Sequence, residues 1–259
     1  MRGPRWNTAF LILVLTFLLA PFLVVFLSAF SSGETLAFPP AGLSLRWLGF
    51  VFTVAAFQGS FLTSLAVAVV ATLLSLLLGV PVAYALSRFR VPGAELIRTV
   101  LTTPLIIPGI VVGLGLLRYF IIVYNVPIYS GLILGHTALL IPYAVRVVSA
   151  SLGNLRPDIE DAAHTLGASR VRVFWSVVLP NIRGAVVSAS VLAFITSFNQ
   201  VPVSLFLTGP GVSTLPIQML SYMEYTFDPS IAALSTVLVA FTVLIVLGAE
   251  RLLGLSRYV

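Results

Sequence analysis

Apolar residues in this chain come in long unbroken runs rather than alternating with polar ones. Six runs approach the roughly 20 residues that an α-helix needs to cross a hydrocarbon core of about 30 Å. They cover roughly Thr8 to Phe30, Ser60 to Leu86, Val100 to Leu117, Gly131 to Ala150, Gly184 to Leu207 and Ile231 to Leu253. The pattern predicts an all-α integral membrane protein with six transmembrane helices. The first run is about twice the length of a signal-peptide core of about 7 to 15 residues, and Ser28 and Phe30 make a poor cleavage site, so it is read as a retained span. Pro81, Pro104 and Pro108 are expected to kink their helices. The stretch GLSLRWLGFVF after the first run is expected to lie along the membrane interface on Trp47 and its neighbouring phenylalanines.

Composition agrees with the pattern and narrows the chemistry. Of 259 residues, 59% are hydrophobic and 8% charged, where about a quarter charged is usual for a soluble domain. All fourteen basic residues are Arg, so the phosphate-binding lysine of a P-loop and a Schiff-base lysine are both excluded. Zero Cys and two His leave little for thiolate or metal chemistry. The arginines also set the topology, because basic residues near span ends are held on the cytoplasmic side. With the N-terminus inside, only Arg46 and Arg118 fall outside, against twelve on the inner segments. Both termini are therefore expected in the cytoplasm. The excess of positive charge is a topology signal and not an affinity for nucleic acid.

The inner segment from about 151 to 183 carries most of the information. Pro157 to Leu166 reads as a short helix, with proline at its start, Asp158, Glu160 and Asp161 at its positive end and Gly167 as its stop. Ile159, Ala162, Ala163 and Leu166 share one face by spacing. Ser169 is placed to cap a second short helix through about Val178, which Leu179 and Pro180 are expected to end. Small residues at Ala162, Ala163, Gly167 and Ala168 would let another surface approach closely, with the charges at the rim setting register. This suits a cytosolic partner.

The stretch EDAAHTLGASRVRVFWSVVLP resembles the cytoplasmic signature of ABC importer permeases, E-A-A-x-x-x-G followed by nine residues and I-x-L-P. Asp161, Ala162 and Ala163 hold its first three places, Gly167 the glycine, Val177 the aliphatic place, and Leu179 and Pro180 the close. Asp161 stands where the family has Glu, and the adjoining Glu160 is the other carboxylate for that role. The resemblance covers nearly the whole chain and implies a type I (MetI-like) permease fold, one transmembrane domain over residues 1–259, in a bacterial inner membrane. It implies that Glu160, Asp161, Ala162, Ala163, Gly167, Ala168, Ser169, Leu179 and Pro180 form the contact with an ATP-binding subunit dimer. ATP and Mg would be bound there, with no cofactor and no catalysis in this chain. It further implies a second permease subunit, most simply a heterodimer, and an external solute-binding protein that delivers a small solute. RFRVPG, LTTPLIIPGIVVGLG and FDPSIAAL look like the spermidine/putrescine branch, although that branch commonly has an acid near Asn199 or Gln200, where this chain has amides.

Asn199 and Gln200 stand deep in the fifth apolar run, with Pro202 expected to break the helix just after. They either hydrogen-bond between helices or line the translocation path. Glu224 and Asp228 read as solvated loop charges, and G-x-x-x-G spacing at Gly109/Gly113 and Gly131/Gly135 as close helix packing. His136 and His164 each read as isolated, with Asp161 a partner within reach of His164 one turn away. An ion-coupled secondary transporter would need acids inside the spans, and none is read there. An intramembrane hydrolase would need a Ser–His pair on separate helices, and no serine has a nucleophile-like setting.

Overall fold

The computed structural model describes residues 4–253, so Arg2 and Arg257 of the topology argument lie outside the described residues. The elements are helical throughout. They are α1 (Pro4–Ser28), α2 (Arg46–Phe50), α3 (Ala55–Arg88), α4 (Ala94–Thr102), α5 (Gly109–Leu116), α6 (Ile128–Asn154), α7 (Asp158–Thr165), α8 (Arg170–Val173), α9 (Leu179–Phe198), α10 (Leu215–Tyr225) and α11 (Ser230–Leu253). Among the described residues the only β-type pairings are isolated bridges, Ser31 to Leu43 and Gly209 to Val212. Among the described residues five helices are long and apolar enough to cross a membrane, and a bent pair supplies the sixth candidate.

That bent pair bears out the kink expected at Pro104 and Pro108 in the third run and makes it a sharp break. Val100 to Leu117 is not one straight span: α4 with its 3-10 extension Thr103–Leu105 meets α5, with its π extension Leu117–Val123, at 97°. Pro108 precedes α5 at φ −54°, ψ 129°, an extended conformation that no helix can run through. Pro81 and Pro142, by contrast, lie inside continuous helices. The fifth run also ends early, since α9 stops at Phe198 and the chain turns from Gln200 onward. Glu250 stands inside the last apolar run, next to Arg251 at the end of α11, so that run is not free of acids.

The chain folds as two compact units. The first, Met1–Gly59 with Gln218–Leu244, holds α1, α2 and α10. Trp47 is buried there and donates its indole N–H to the Gly33 carbonyl at 2.9 Å, so it is an internal peg rather than the interface anchor expected of it. The exposed rings beside it are Phe50 and Phe52. Phe57 is buried edge-on to Tyr222, whose hydroxyl donates to Asp228 at 2.9 Å. Asp228 also accepts from the Ser230 N–H at 2.9 Å and from its hydroxyl, fixing the start of α11. Asp228 is thus a structural cap, while Glu224 is exposed as expected. Burial raises the Tyr222 phenol above its ordinary value; Ser230 opposes this in part and the bond to Asp228 adds to it.

The second unit, Ser60–Ile217 with Ile245–Val259, is built around α6. Its core-facing residues include Leu132, Leu139, Leu140, Ala144, Val148 and Leu152, all nearly inaccessible. Small residues set its spacing to α3: a Cβ added at Gly79 would fall 2.6 Å from that of Ala144. Gly109 and Gly113 of α5 face Pro202, Val203 and Phe206 of the turn after α9, with the Pro202 carbonyl 2.9 Å from where a Gly113 Cβ would stand. Gly131 and Gly135 of α6 face Leu207. The glycine spacing therefore serves close packing, against the irregular turn that follows the broken helix and, for Gly131 and Gly135, also against Ile121 and Leu116.

Candidate functional site

The motif segment, part of the second unit, folds as α7, a glycine turn and α8. Pro157 supplies the first turn of α7 with its φ of −60°. Gly167 ends it at φ +86°, a left-handed conformation that residues with a Cβ adopt at a cost. The Gly167 N–H donates to the His164 carbonyl at 2.9 Å and the Ala168 N–H to that of Ala163 at 3.1 Å, the paired bonds of a Schellman stop. Ser169 then opens α8 by accepting the Arg172 N–H at 3.4 Å.

Leu179 and Pro180 do not end this second helix. The chain passes from α8 through a π turn, Phe174–Val178, straight into α9, giving one continuous rod from Arg170 to Phe198. Proline lacks an N–H and crowds the carbonyl four residues back. The wider π turn just before Pro180 makes room for its ring without stopping the helix.

The orientation of α7 could not be read from spacing. Its buried member is an acid, Glu160, whose Oε1 receives Arg88 Nε at 2.5 Å while Oε2 receives the Tyr84 hydroxyl at 2.9 Å. Arg88 also donates through Nη2 to the Leu155 carbonyl at 2.8 Å. The ion pair is nearly dry, with side-chain exposures of 13% for Arg88 and 8% for Glu160. Of the four apolar positions predicted to share a face, only Ala163 packs into the core cluster around Val148 and Val173. Ile159 and Leu166 are exposed, Leu166 to 89%, as are Val171 and Trp175 beyond the glycine. Asp161 is exposed as well, and Ala168 is half-buried.

The two carboxylates therefore differ in kind: Glu160 is spent inside the chain and Asp161 faces outward. A cleft of about 490 Å³ opens beside them, between Arg88, Asp161, His164 and Arg170. His164 does not pair with Asp161 as its spacing suggested. Its Nδ1 donates to the Ala168 carbonyl at 3.0 Å, bracing the glycine turn.

Asn199 and Gln200 sit where α9 gives out. Asn199 is exposed and its Nδ2 turns back to the Ile195 carbonyl at 3.0 Å, within its own helix, while Gln200 is half-buried. A contact that sequence reasoning missed lies close by. His136 of α6 is buried between Ser197, 2.7 Å from Nδ1, and Ser204, 3.0 Å from Nε2, so it bridges the two sides of the break. A histidine inside an apolar run was the available signal. Its two serines stand 61 and 68 residues away, and no local pattern points to them.

Comparison with known proteins accords with this geometry. Residues 75–255 match the family described as the inner membrane component of binding-protein-dependent transport systems. The chain is 33% identical to the putrescine transport system permease protein PotI of Escherichia coli K12, over 98% of its own length and 89% of that protein. It is 27% identical to the spermidine/putrescine permease PotC of Haemophilus influenzae, with 94% and 95% covered. It is 33% identical to the molybdenum permease ModB of Mycobacterium bovis, with 86% and 92% covered. Among solved structures, a bacterial ABC transporter that imports alginate superposes with a TM-score of 0.70 at 18% identity, covering 98% of each chain. The fold is thus shared well beyond close sequence similarity. The chain belongs to the family of binding-protein-dependent transport system inner membrane components and is a multi-pass permease subunit of an ABC importer in a bacterial inner membrane.

Proposed function

We propose that this permease carries a small polyamine-like cation inward, and that its segment 151–183 lies in the cytoplasm against an ATP-binding subunit that hydrolyses ATP on its behalf. The observation that carries the docking is the inverted amphipathicity of α7. A helix that buries its acid and exposes Ile159 and Leu166, continued by exposed Val171 and Trp175, is completed by another protein surface. Asp161, Ala162, Gly167 and Ser169 lie exposed in the same segment, where a charge and close backbone approach would set register. Leu179 and Pro180 belong instead to the rod that carries movement of this surface into the membrane.

The solute reading is supported by similarity to PotI along almost the full chain. In this reading Asn199 and Gln200 border the path at the break in α9, since irregular backbone at membrane depth is tolerated only where it is buried in protein or lines a water-filled cavity. Their neutral amides would hold a cation by carbonyl oxygens rather than by charge. Similarity to ModB at equal identity supports a second reading, another small solute such as an oxyanion. The complete importer joins this chain to a second permease, most simply a different one, to two ATP-binding subunits and to a solute-binding protein outside. Both termini lie in the cytoplasm in this arrangement. Co-purification of an ATP-binding subunit with the native chain, lost on Asp161→Arg, tests the docking. Uptake of labelled putrescine or molybdate by proteoliposomes holding the whole importer tests the solute. Saturable ATP-dependent uptake of molybdate but not putrescine would overturn the polyamine reading.

A further inference from the structure

We infer that α3 is a driven arm of the transport mechanism, and that Glu160 and Arg88 are the positioning pair that joins it to the docking segment. This rests on the reading of 151–183 as the surface that meets an ATP-binding subunit. Movement of α7 and α8 reaches α6 and α9 through the covalent chain. It reaches α3, some seventy residues earlier, through non-covalent contacts alone: the apolar cluster in which Val80 and Ala83 meet Val148, Val173 and Val178, which fixes no register by charge, and the Glu160 network.

Those side chains form a connected grip on the end of α3. Glu160 holds Arg88 and Tyr84 by one carboxylate oxygen each. Arg88 extends the grip to the Leu155 carbonyl at the joint between α6 and α7. From the other side of Gly167, Arg170 lies over the Phe89 ring at 5.3 Å, and Phe174 meets Tyr84 edge-on at 5.1 Å. Both halves of the docking segment thus close on the same few residues.

A nearly dry ion pair is an expensive way to stabilise a fold, since well-packed apolar side chains often do as well. It does fix direction and register, because a carboxylate with both oxygens engaged tolerates little displacement. The alternative attachment is weak here. Apart from the small Ala163, the apolar side chains of α7 face outward, so the Glu160 network is its main hold on the body of the chain. Asp161, one residue on and exposed, remains available to the partner, which separates inner linkage from outer recognition.

The test uses the whole importer in proteoliposomes, reading solute carried per ATP hydrolysed together with recovery of the ATP-binding subunit. Glu160→Gln and Arg88→Gln are expected to assemble as the native complex does while solute per ATP falls about fivefold or more, the lower end of typical coupling between sites. The charge-exchanged pair, Glu160→Arg with Arg88→Glu, is expected to recover part of that loss. Native solute per ATP in both single variants overturns the inference, as does an exchanged pair no better than either. A Glu160→Gln chain that releases the ATP-binding subunit as Asp161→Arg does would make Glu160 a partner contact and overturn it too. Failure of the native chain to hold an ATP-binding subunit would instead overturn the docking reading beneath it.

A second measurement avoids disturbing the network. The chain has no cysteine, so spin labels placed at exposed Arg90, two residues beyond the end of α3, and at exposed Thr165 of α7 report the separation of the two without background from this chain. The distance is expected to stay the same with and without ATP in a hydrolysis-blocked complex. A separation that changes on ATP binding shows that α3 is not carried along.

Discussion

Replacing Gly167 distinguishes a backbone requirement from a docking requirement, because the two order the same variants differently. Within the chain a Cβ at Gly167 meets no atom within 4 Å, so the folding cost is that of φ +86° alone. For alanine that is about 1 to 2 kcal/mol, reduced by about 0.4 to 1 kcal/mol through loss of freedom in the unfolded chain. The net is near 1 kcal/mol, or about 2 to 4 °C in melting temperature for a domain of this size. Asparagine adopts left-handed backbone more readily, so Gly167→Asn is expected to melt above Gly167→Ala. At the interface the order reverses. The space beside Gly167 is open here and would be filled by the ATP-binding subunit, so any side chain overpacks it, at about 1 to 3 kcal/mol, and asparagine intrudes further than alanine. Association is then expected to weaken from glycine to alanine to asparagine, by roughly 5- to 150-fold over the series. Scanning fluorimetry on the purified permease gives the first order, and titration with the ATP-binding subunit gives the second. If association follows melting temperature, with asparagine closer to native than alanine, the glycine serves only its own turn and the docking argument fails at this residue.

Three further outcomes follow from the same geometry. Gly113→Val is expected to lower the melting temperature, because its Cβ would stand 2.9 Å from the Pro202 carbonyl and 3.1 Å from Val203 Cα, an overpacking of about 1 to 3 kcal/mol; Gly115→Val, with nothing within 4 Å, should be near neutral, and equal melting of the two would refute the wedge. Leu166→Asp and Trp175→Ser replace exposed apolar groups, so each should leave the permease melting within about 0.5 kcal/mol of native while weakening recovery of the ATP-binding subunit, and a large loss of melting temperature would place them in the fold instead. Because burial, joined by the Asp228 bond and only partly opposed by Ser230, raises the Tyr222 phenol above its ordinary value, the neutral form is the one the native state favours: its contribution is complete below about pH 10 and is lost as pH rises through the raised value. Thermal melts taken above about pH 10 should therefore fall more steeply for the native chain than for Tyr222→Phe, and parallel curves would contradict that sign.

Much of this architecture was legible because a bilayer leaves few options. A chain that must satisfy every backbone group internally writes its spans as apolar runs, and among the described residues five of the six runs coincide with helices long and apolar enough to cross, the third with the bent pair. The motif was legible for a different reason: Pro157, Gly167 and Ser169 act on their own backbone, so their effects are local and the predicted turns appear where expected. What stayed hidden depends on partners remote in sequence. Spacing grouped Ile159, Ala162, Ala163 and Leu166 but could not say that the core would take Glu160 instead, because Arg88 and Tyr84 lie more than seventy residues away. In the third run a kink at Pro104 and Pro108 was expected, but not that the break would reach 97°. Pro180 misled in the opposite direction, since a π turn absorbs it.

The contact of His136 with two serines calls for a decision, because a histidine with a serine on another element is what an intramembrane hydrolase would require. The geometry opposes that reading. A catalytic histidine takes a proton from one hydroxyl while a carboxylate orients its other nitrogen; here the other nitrogen meets a second hydroxyl, Ser204. The ring is 1% exposed, Ser197 5% and Ser204 0%, so no scissile bond can approach. A neutral imidazole has one donor and one acceptor, and two hydroxyls satisfy both, which suits a strut at membrane depth. Ser197 precedes the break in α9 and Ser204 follows it, so the ring ties the loose turn back to the central helix. His136→Ala would leave two buried hydroxyls without this partner, at about 0.6 to 2 kcal/mol each, and should lower the melting temperature without abolishing assembly. A fluorophosphonate probe should label neither serine in the native protein. Labelling at Ser197 or Ser204 that disappears in His136→Ala would show that the pair is reactive and that the strut reading is wrong.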